Sequence, residues 1–120
     1  MIRFWGKIKL GQKRGKALGF PTANINLNKK VDQGIYISLV KLNQKIYPAL
    51  TFIGENITFG EKIFQAESYI LDFNQDIYNS WISVKLLEKI RGNQKFASVS
   101  DLIIAMKDDQ KKAREYFSKK

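Results

Sequence analysis

Ile35-Tyr36-Ile37-Ser38-Leu39-Val40-Lys41-Leu42-Asn43-Gln44-Lys45-Ile46-Tyr47-Pro48-Ala49-Leu50-Thr51-Phe52-Ile53 holds two β-rich runs, Ile35 to Leu42 and Lys45 to Ile53, joined by two residues. A connection that short between such runs predicts a β-hairpin turning at Asn43-Gln44. Pro48 lacks a backbone donor, so its presence in the second run predicts an edge position or a bulge. The pattern repeats on both sides of this hairpin. Phe4 to Leu10 alternates Gly6, Ile8 and Leu10 against Trp5, Lys7 and Lys9, and Trp81 to Ile90 alternates Ile82, Val84 and Leu86 against Trp81, Ser83 and Lys85. Phe64 to Phe73 is a fifth run. Five runs with short connections predict a small antiparallel barrel or sandwich.

The last segment changes period. Leu102, Ile103, Met106, Ala113, Tyr116 and Phe117 recur at helical spacing, and Ser98 stands three residues before Asp101 like a capping box. One amphipathic helix is expected from about Val99 to Phe117, its apolar stripe packed on the barrel.

Composition narrows the chemistry. The 120 residues suit one domain spanning 1–120, with the barrel over about 3–91 and the helix over about 99–117. There is no cysteine, so disulfides and thiolate metal sites are excluded, and no histidine, so histidine acid–base chemistry, Ser-His-Asp triads and His-ligated zinc are excluded too. A general base must come from a carboxylate, a lysine or a tyrosine. No apolar stretch reaches the length of a membrane span, and Met1 to Leu10 carries lysines where a signal peptide has its apolar core. A cytoplasmic protein with no membrane partner is expected. The net charge is +10, and eight cations precede the first acid, Asp32. Such asymmetry favours an anionic partner.

Between the first two apolar stretches, Gly11, Gly15 and Gly19 fall within nine residues and enclose Lys13, Arg14 and Lys16. Glycines so spaced let successive N–H groups converge on an anion, and the cations add attraction for a polyphosphate. The segment is not a P-loop: Gly11 and Gly15 enclose three residues where four are needed, and Lys16 is followed by Ala17. Phe20-Pro21-Thr22-Ala23-Asn24 closes the segment. Thr22 and Asn24 offer neutral oxygens of the kind Mg²⁺ takes when it also binds phosphate. Taken alone, they read first as turn residues that satisfy local N–H groups.

Glu67 is the carboxylate of most interest. It shares its alternation face with Tyr69, Leu71 and Phe73, while Phe64, Ala66, Ser68, Ile70 and Asp72 occupy the other. Both faces are partly apolar, so periodicity leaves open which is inside.

Gly6, Gly11, Gly15, Gly19 and Phe20-Pro21-Thr22-Ala23-Asn24 resemble the signature of the ATP-dependent riboflavin kinases. The similarity continues through Gly34-Ile35-Tyr36, Ile53-Gly54 and Glu67 to the segment from Leu86 to Phe96, covering nearly the whole chain. The resemblance implies a six-stranded antiparallel Greek-key barrel with one C-terminal helix, the sixth strand being a short one near Ala23 to Leu27. It implies transfer of the γ-phosphoryl of MgATP to riboflavin, giving FMN and ADP. Glu67 would be the catalytic base. Gly11, Lys13, Gly15, Lys16, Gly19, Pro21 and Thr22 would contact the ATP phosphates, and Thr22 and Asn24 the Mg²⁺. Arg91 and Phe96 would belong to a flap over flavin and phosphates, Arg91 as a phosphate or flavin contact and Phe96 as a packing residue. Asp72 and Asp76 read as turn and surface groups.

Glu55-Asn56-Ile57-Thr58-Phe59 keeps the family's Thr-Phe but has Ile57 where its proline stands, which predicts a looser loop near Glu67. In most bacterial relatives this module is joined to an FMN adenylyltransferase domain with no counterpart here, so FAD synthesis is not expected. A monomer is expected. Two alternatives stand beside the kinase: a flavin-binding relative without turnover, and a basic barrel that binds single-stranded nucleic acid through Trp5, Lys7 and Lys9. Aromatics are not otherwise concentrated on polar strand faces, so nucleic acid is the less expected partner.

Overall fold

The computed structural model describes residues 2–7, 22–27, 31–58, 61–71, 81–92 and 97–119. They form six strands, β1 (Arg3–Lys7), β2 (Thr22–Leu27), β3 (Gly34–Leu42), β4 (Lys45–Thr58), β5 (Glu61–Ile70) and β6 (Trp81–Arg91), followed by one helix, α1 (Val99–Ser118). The strands make one antiparallel sheet in the order β1-β6-β3-β4-β5-β2. Within it, β6-β3-β4-β5 is the Greek-key arrangement, three consecutive strands with the fourth returned beside the first. The sheet curls until its ends meet: Phe4 of β1 and Ile25 of β2 belong to one buried core. A Cβ built on Gly6 would stand 2.7 Å from Ile25 Cγ2, so only glycine lets the two end strands approach this closely.

The β3–β4 hairpin turns where expected. Asn43 and Gln44 have φ of 51° and 68°, the left-handed pair that matches the twist of a two-residue hairpin. Gly34, at the other end of β3, has φ of +151°, and a Cβ there would meet the Arg91 carbonyl oxygen at 2.6 Å. Glycine is required on both counts.

Two expectations are corrected. Pro48 lies on β4, which has neighbours on both sides and is not an edge strand. It is accommodated because β5 ends at Ile70, in register with Ala49, and Leu71 N–H donates to the Pro48 carbonyl at 3.0 Å. The absent N–H of Pro48 therefore falls where the β5 ladder has run out. The segment around Ile57 is not a loop either. Strand β4 continues to Thr58, with Ile57 in register with Lys62 of β5. Isoleucine keeps the N–H that proline would remove, so the ladder can extend.

Alternation divides the sheet cleanly. Val40, Ile53, Ala66, Ile70 and Val84 fill the barrel interior, each fully buried. Ile35, Ile37, Leu50, Tyr69 and Leu71 face outward and are covered by α1 through Met106 and Ala113. The helix begins as its sequence suggests: Ser98 is the N-cap, its hydroxyl accepting from Asp101 N–H at 3.1 Å. Burying a side chain the size of Met106 stabilises the docked helix by roughly 1.5–3 kcal/mol. A charged clasp reinforces it. Arg91 Nε and Nη2 donate to the two carboxylate oxygens of Asp109 at 2.9 and 2.7 Å, joining the end of β6 to the middle of α1. Among the described residues, no helix is long and apolar enough to cross a membrane.

Candidate active site

Strands β2 and β5 pair with Thr22 opposite Tyr69, Asn24 opposite Glu67 and Asn26 opposite Gln65. Because Ala66, Ser68 and Ile70 point into the barrel, Glu67 and Tyr69 stand on its outer face. That settles the face which alternation left open. Glu67 is nevertheless only 4% exposed, and Asn24 is 6% exposed. On its other flank Glu67 is in register with half-buried Phe52 of β4.

A carboxylate in such a place needs donors. Asn24 Nδ2 donates to Glu67 Oε2 at 3.3 Å, and the Tyr69 hydroxyl donates to Oε1 at 3.3 Å. Both bonds are long, a geometry common at catalytic groups before substrate arrives. Using Nδ2 toward Glu67 turns the oxygen of the Asn24 amide elsewhere, where it can accept a bond or ligate a cation.

Arg91 is placed differently from Glu67's immediate partners. It is in register with Ile35, and two bulges in β6 separate it from the regular ladder. Its guanidinium is held by Asp109, which is 3% exposed. The hydrogen bond to Asp109 raises the Arg91 pKa above the ordinary arginine value, against the opposing effect of burial, with further electrostatic support from Asp109, Tyr69 and Asp108. Tyr69 therefore lies within electrostatic reach of Arg91 while bonding to Glu67. Hydrogen bonds thus form two groups, Asn24–Glu67–Tyr69 and Arg91–Asp109.

Of the residues singled out from the sequence, Asn24 and Glu67 are in contact, and Thr22 occupies the register position opposite Tyr69. Gly11, Lys13, Gly15, Lys16, Gly19, Pro21 and Phe96 lie outside the described residues. Tyr69 and Asp109 were missed. Asp109 had a legible signal: it falls between Met106 and Ala113 on the apolar stripe of α1, where a carboxylate demands a partner.

The donor set suits a hard cation. Among the described residues there is no cluster of three or more Asp or Glu that could form an all-protein cage. A lone amide oxygen beside a carboxylate instead fits a hard divalent cation that keeps waters and shares phosphate oxygens.

Fold and site together define a small Greek-key barrel whose buried polar centre is a carboxylate rather than a histidine. The riboflavin kinase (flavokinase) family profile matches residues 1–117. The trifunctional protein RibF/MnmA of Mycoplasmoides gallisepticum is 39% identical over 117 residues, covering 95% of this chain and 18% of that protein. The bifunctional riboflavin kinase/FMN adenylyltransferase of Listeria monocytogenes is 35% identical, covering 95% of this chain and 38% of its own length. The crystal structure of riboflavin kinase from Trypanosoma brucei superposes with a TM-score of 0.66 at 27% identity, covering 98% of this chain and 80% of that one. The chain belongs to the riboflavin kinase family. It spans less than two-fifths of the length of these two curated relatives.

Proposed function

We propose that the chain phosphorylates riboflavin: the ribityl 5′-hydroxyl oxygen attacks the γ-phosphorus of ATP, the bond to the β-phosphate bridging oxygen breaks, and FMN and ADP leave. Glu67 takes the hydroxyl proton. The observation that carries this reading is the position of Glu67, a nearly buried carboxylate held at both oxygens by Asn24 and Tyr69. Those bonds fix the rotamer of the base, so that a hydroxyl arriving on the outer face of β5 meets a preset acceptor. In a chain without histidine the role is left to a carboxylate, a lysine or a tyrosine, and Glu67 is the carboxylate held in this place.

Asn24 and Thr22 are the residues that would hold Mg²⁺, as the donor chemistry supports. When bound, the ion neutralises charge on the ATP phosphates. Gly11, Lys13, Gly15, Lys16, Gly19 and Pro21 carry the remaining phosphate contacts on family resemblance, and Phe96 a flap contact. Arg91 anchors the start of that flap: its grip on Asp109 fixes the chain just before residue 92. The reading extends to a cytoplasmic monomer acting on riboflavin and ATP.

The test is incubation with riboflavin and MgATP and chromatographic identification of the product. FMN should form, and Glu67→Gln should lower kcat by about 10²–10⁴-fold with riboflavin affinity nearly unchanged. A wild-type chain that binds riboflavin without forming FMN would establish the non-catalytic alternative. A fully active Glu67→Gln variant would remove Glu67 from the chemistry.

A further inference from the structure

Both tryptophans of the chain lie on one outer sheet surface, away from the helix-covered site. Trp5 is 68% and Trp81 66% exposed. The register arranges their neighbours in three parallel rows. Lys7 is opposite Trp81. In the next row Trp5, Ser83, Lys41 and Ile46 stand side by side across β1, β6, β3 and β4. In the third, Arg3, Lys85, Leu39 and Pro48 do the same. Ile46 is itself 63% exposed. These rows hold two exposed indoles, an exposed isoleucine, four cations and no acid.

Neither core packing nor solubility explains this composition. Tryptophan is enriched at interaction surfaces, and apolar groups clustered among polar ones mark such surfaces. The interleaving is specific. Trp5 is flanked along its strand by Arg3 and Lys7, and Trp81 lies across from Lys7 and diagonal to Trp5. Diagonal neighbours on a sheet are about 7–8 Å apart, within reach of adjacent flat groups. Rings that alternate with cations complement a chain that alternates flat bases with phosphates. A duplex hides its base faces, and a lipid surface has no flat groups to stack.

We propose that the outer surface of β1, β6 and the adjoining halves of β3 and β4 binds single-stranded nucleic acid, with bases stacked on Trp5 and Trp81 and phosphates drawn to Lys7, Lys41 and Lys85. The sequence placed Trp5 and Lys7 on such a face. The fold adds Trp81, Lys41, Lys85 and Ile46 to it. Its residues lie on β1, β6, β3 and β4, whereas Glu67 and Asn24 lie on β5 and β2.

The experiment is fluorescence anisotropy of a labelled twelve-nucleotide oligouridine titrated with the full chain at 50 and 200 mM salt. Binding should weaken with salt, the log–log slope losing roughly 0.7 for each phosphate contact removed, as in Lys41→Ala. Trp5→Ala and Trp81→Ala should each weaken binding by about five- to a hundredfold while FMN formation is unchanged. Both side chains are exposed, so circular dichroism of the variants should match the parent. The proposal is overturned by absence of binding at 50 mM salt or by tryptophan variants that bind as the parent does. Equal binding to a duplex of the same length, or to phosphatidylserine vesicles, would also overturn it.

Discussion

Two rows of polar side chains are buried in this barrel, on opposite faces of the sheet, and they meet at β5. Inside, the Ser38 and Thr51 hydroxyls are 2.7 Å apart and those of Thr51 and Ser68 2.8 Å apart, all three residues fully buried. Outside, Asn24, Glu67 and Tyr69 are joined by bonds of 3.3 Å around a carboxylate. The inner row is neutral, short-bonded and shut off from any ligand. The outer row carries a carboxylate, has the longer bonds and, although nearly buried, stands on the outer face of the sheet. Neighbouring positions on β5, Glu67 and Ser68, thus differ in kind: Ser68 holds a neutral hydroxyl inside the barrel, and Glu67, the proposed base, a carboxylate on its outer face.

The largest effect that tests this contrast is the Glu67→Gln exchange. It should cost about 3–5 kcal/mol of catalytic barrier while leaving the unfolding midpoint unchanged or raised, since a buried charge is removed. A fall in thermal stability parallel to the loss of turnover would place Glu67 with the structural row. Thr51→Val should show the reverse. It deprives Ser38 and Ser68 of their shared partner, so denaturant unfolding should reveal a loss of about 1–3 kcal/mol with kcat and KM unaltered. Asn24→Leu comes next, with the Mg²⁺ concentration for half-maximal rate rising about tenfold, equivalent to about 1.4 kcal/mol. A metal titration that superposes on the parent curve would remove Asn24 from the cation. Tyr69→Phe is the smallest. Losing one donor to Glu67 should lower kcat only a few-fold, about 0.5–1.5 kcal/mol, read best in single-turnover kinetics.

Most of the barrel was legible because its runs alternate and its turns are short. The hairpin at Asn43-Gln44, the strand from Trp81 and the helix capped by Ser98 all stand where the pattern put them. Strand β2 was not readable from periodicity: among its six residues, one alanine and two asparagines favour strands weakly, leaving Thr22, Ile25 and Leu27 to carry the signal. It forms because β5 offers it a partner along Thr22–Leu27. Glu67 was identifiable as a residue but not as a position. Both faces of β5 are apolar because one lines the barrel and the other lies beside the helix contact, a distinction made only by tertiary packing. The Arg91–Asp109 pair was invisible for a related reason, since sequence shows that a buried acid needs a cation but not which one.

Strands β1 and β2 occupy the two ends of the hydrogen-bonded order and come together where Gly6 meets Ile25. They are also the strands that the glycine-rich stretch 8–21 connects in sequence. The segment proposed for the nucleotide's phosphates therefore links, along the chain, the two strands that form the barrel's joint. Backbone amides of β1 and β2 that point toward the joint should exchange with deuterium faster than those of β3 and β4, which are paired on both sides. A nucleotide gripped by that segment would restrain both strands at once. Its binding should then register as slowed exchange along β1 and β2, a mechanical signature of occupancy that can be read without following the reaction.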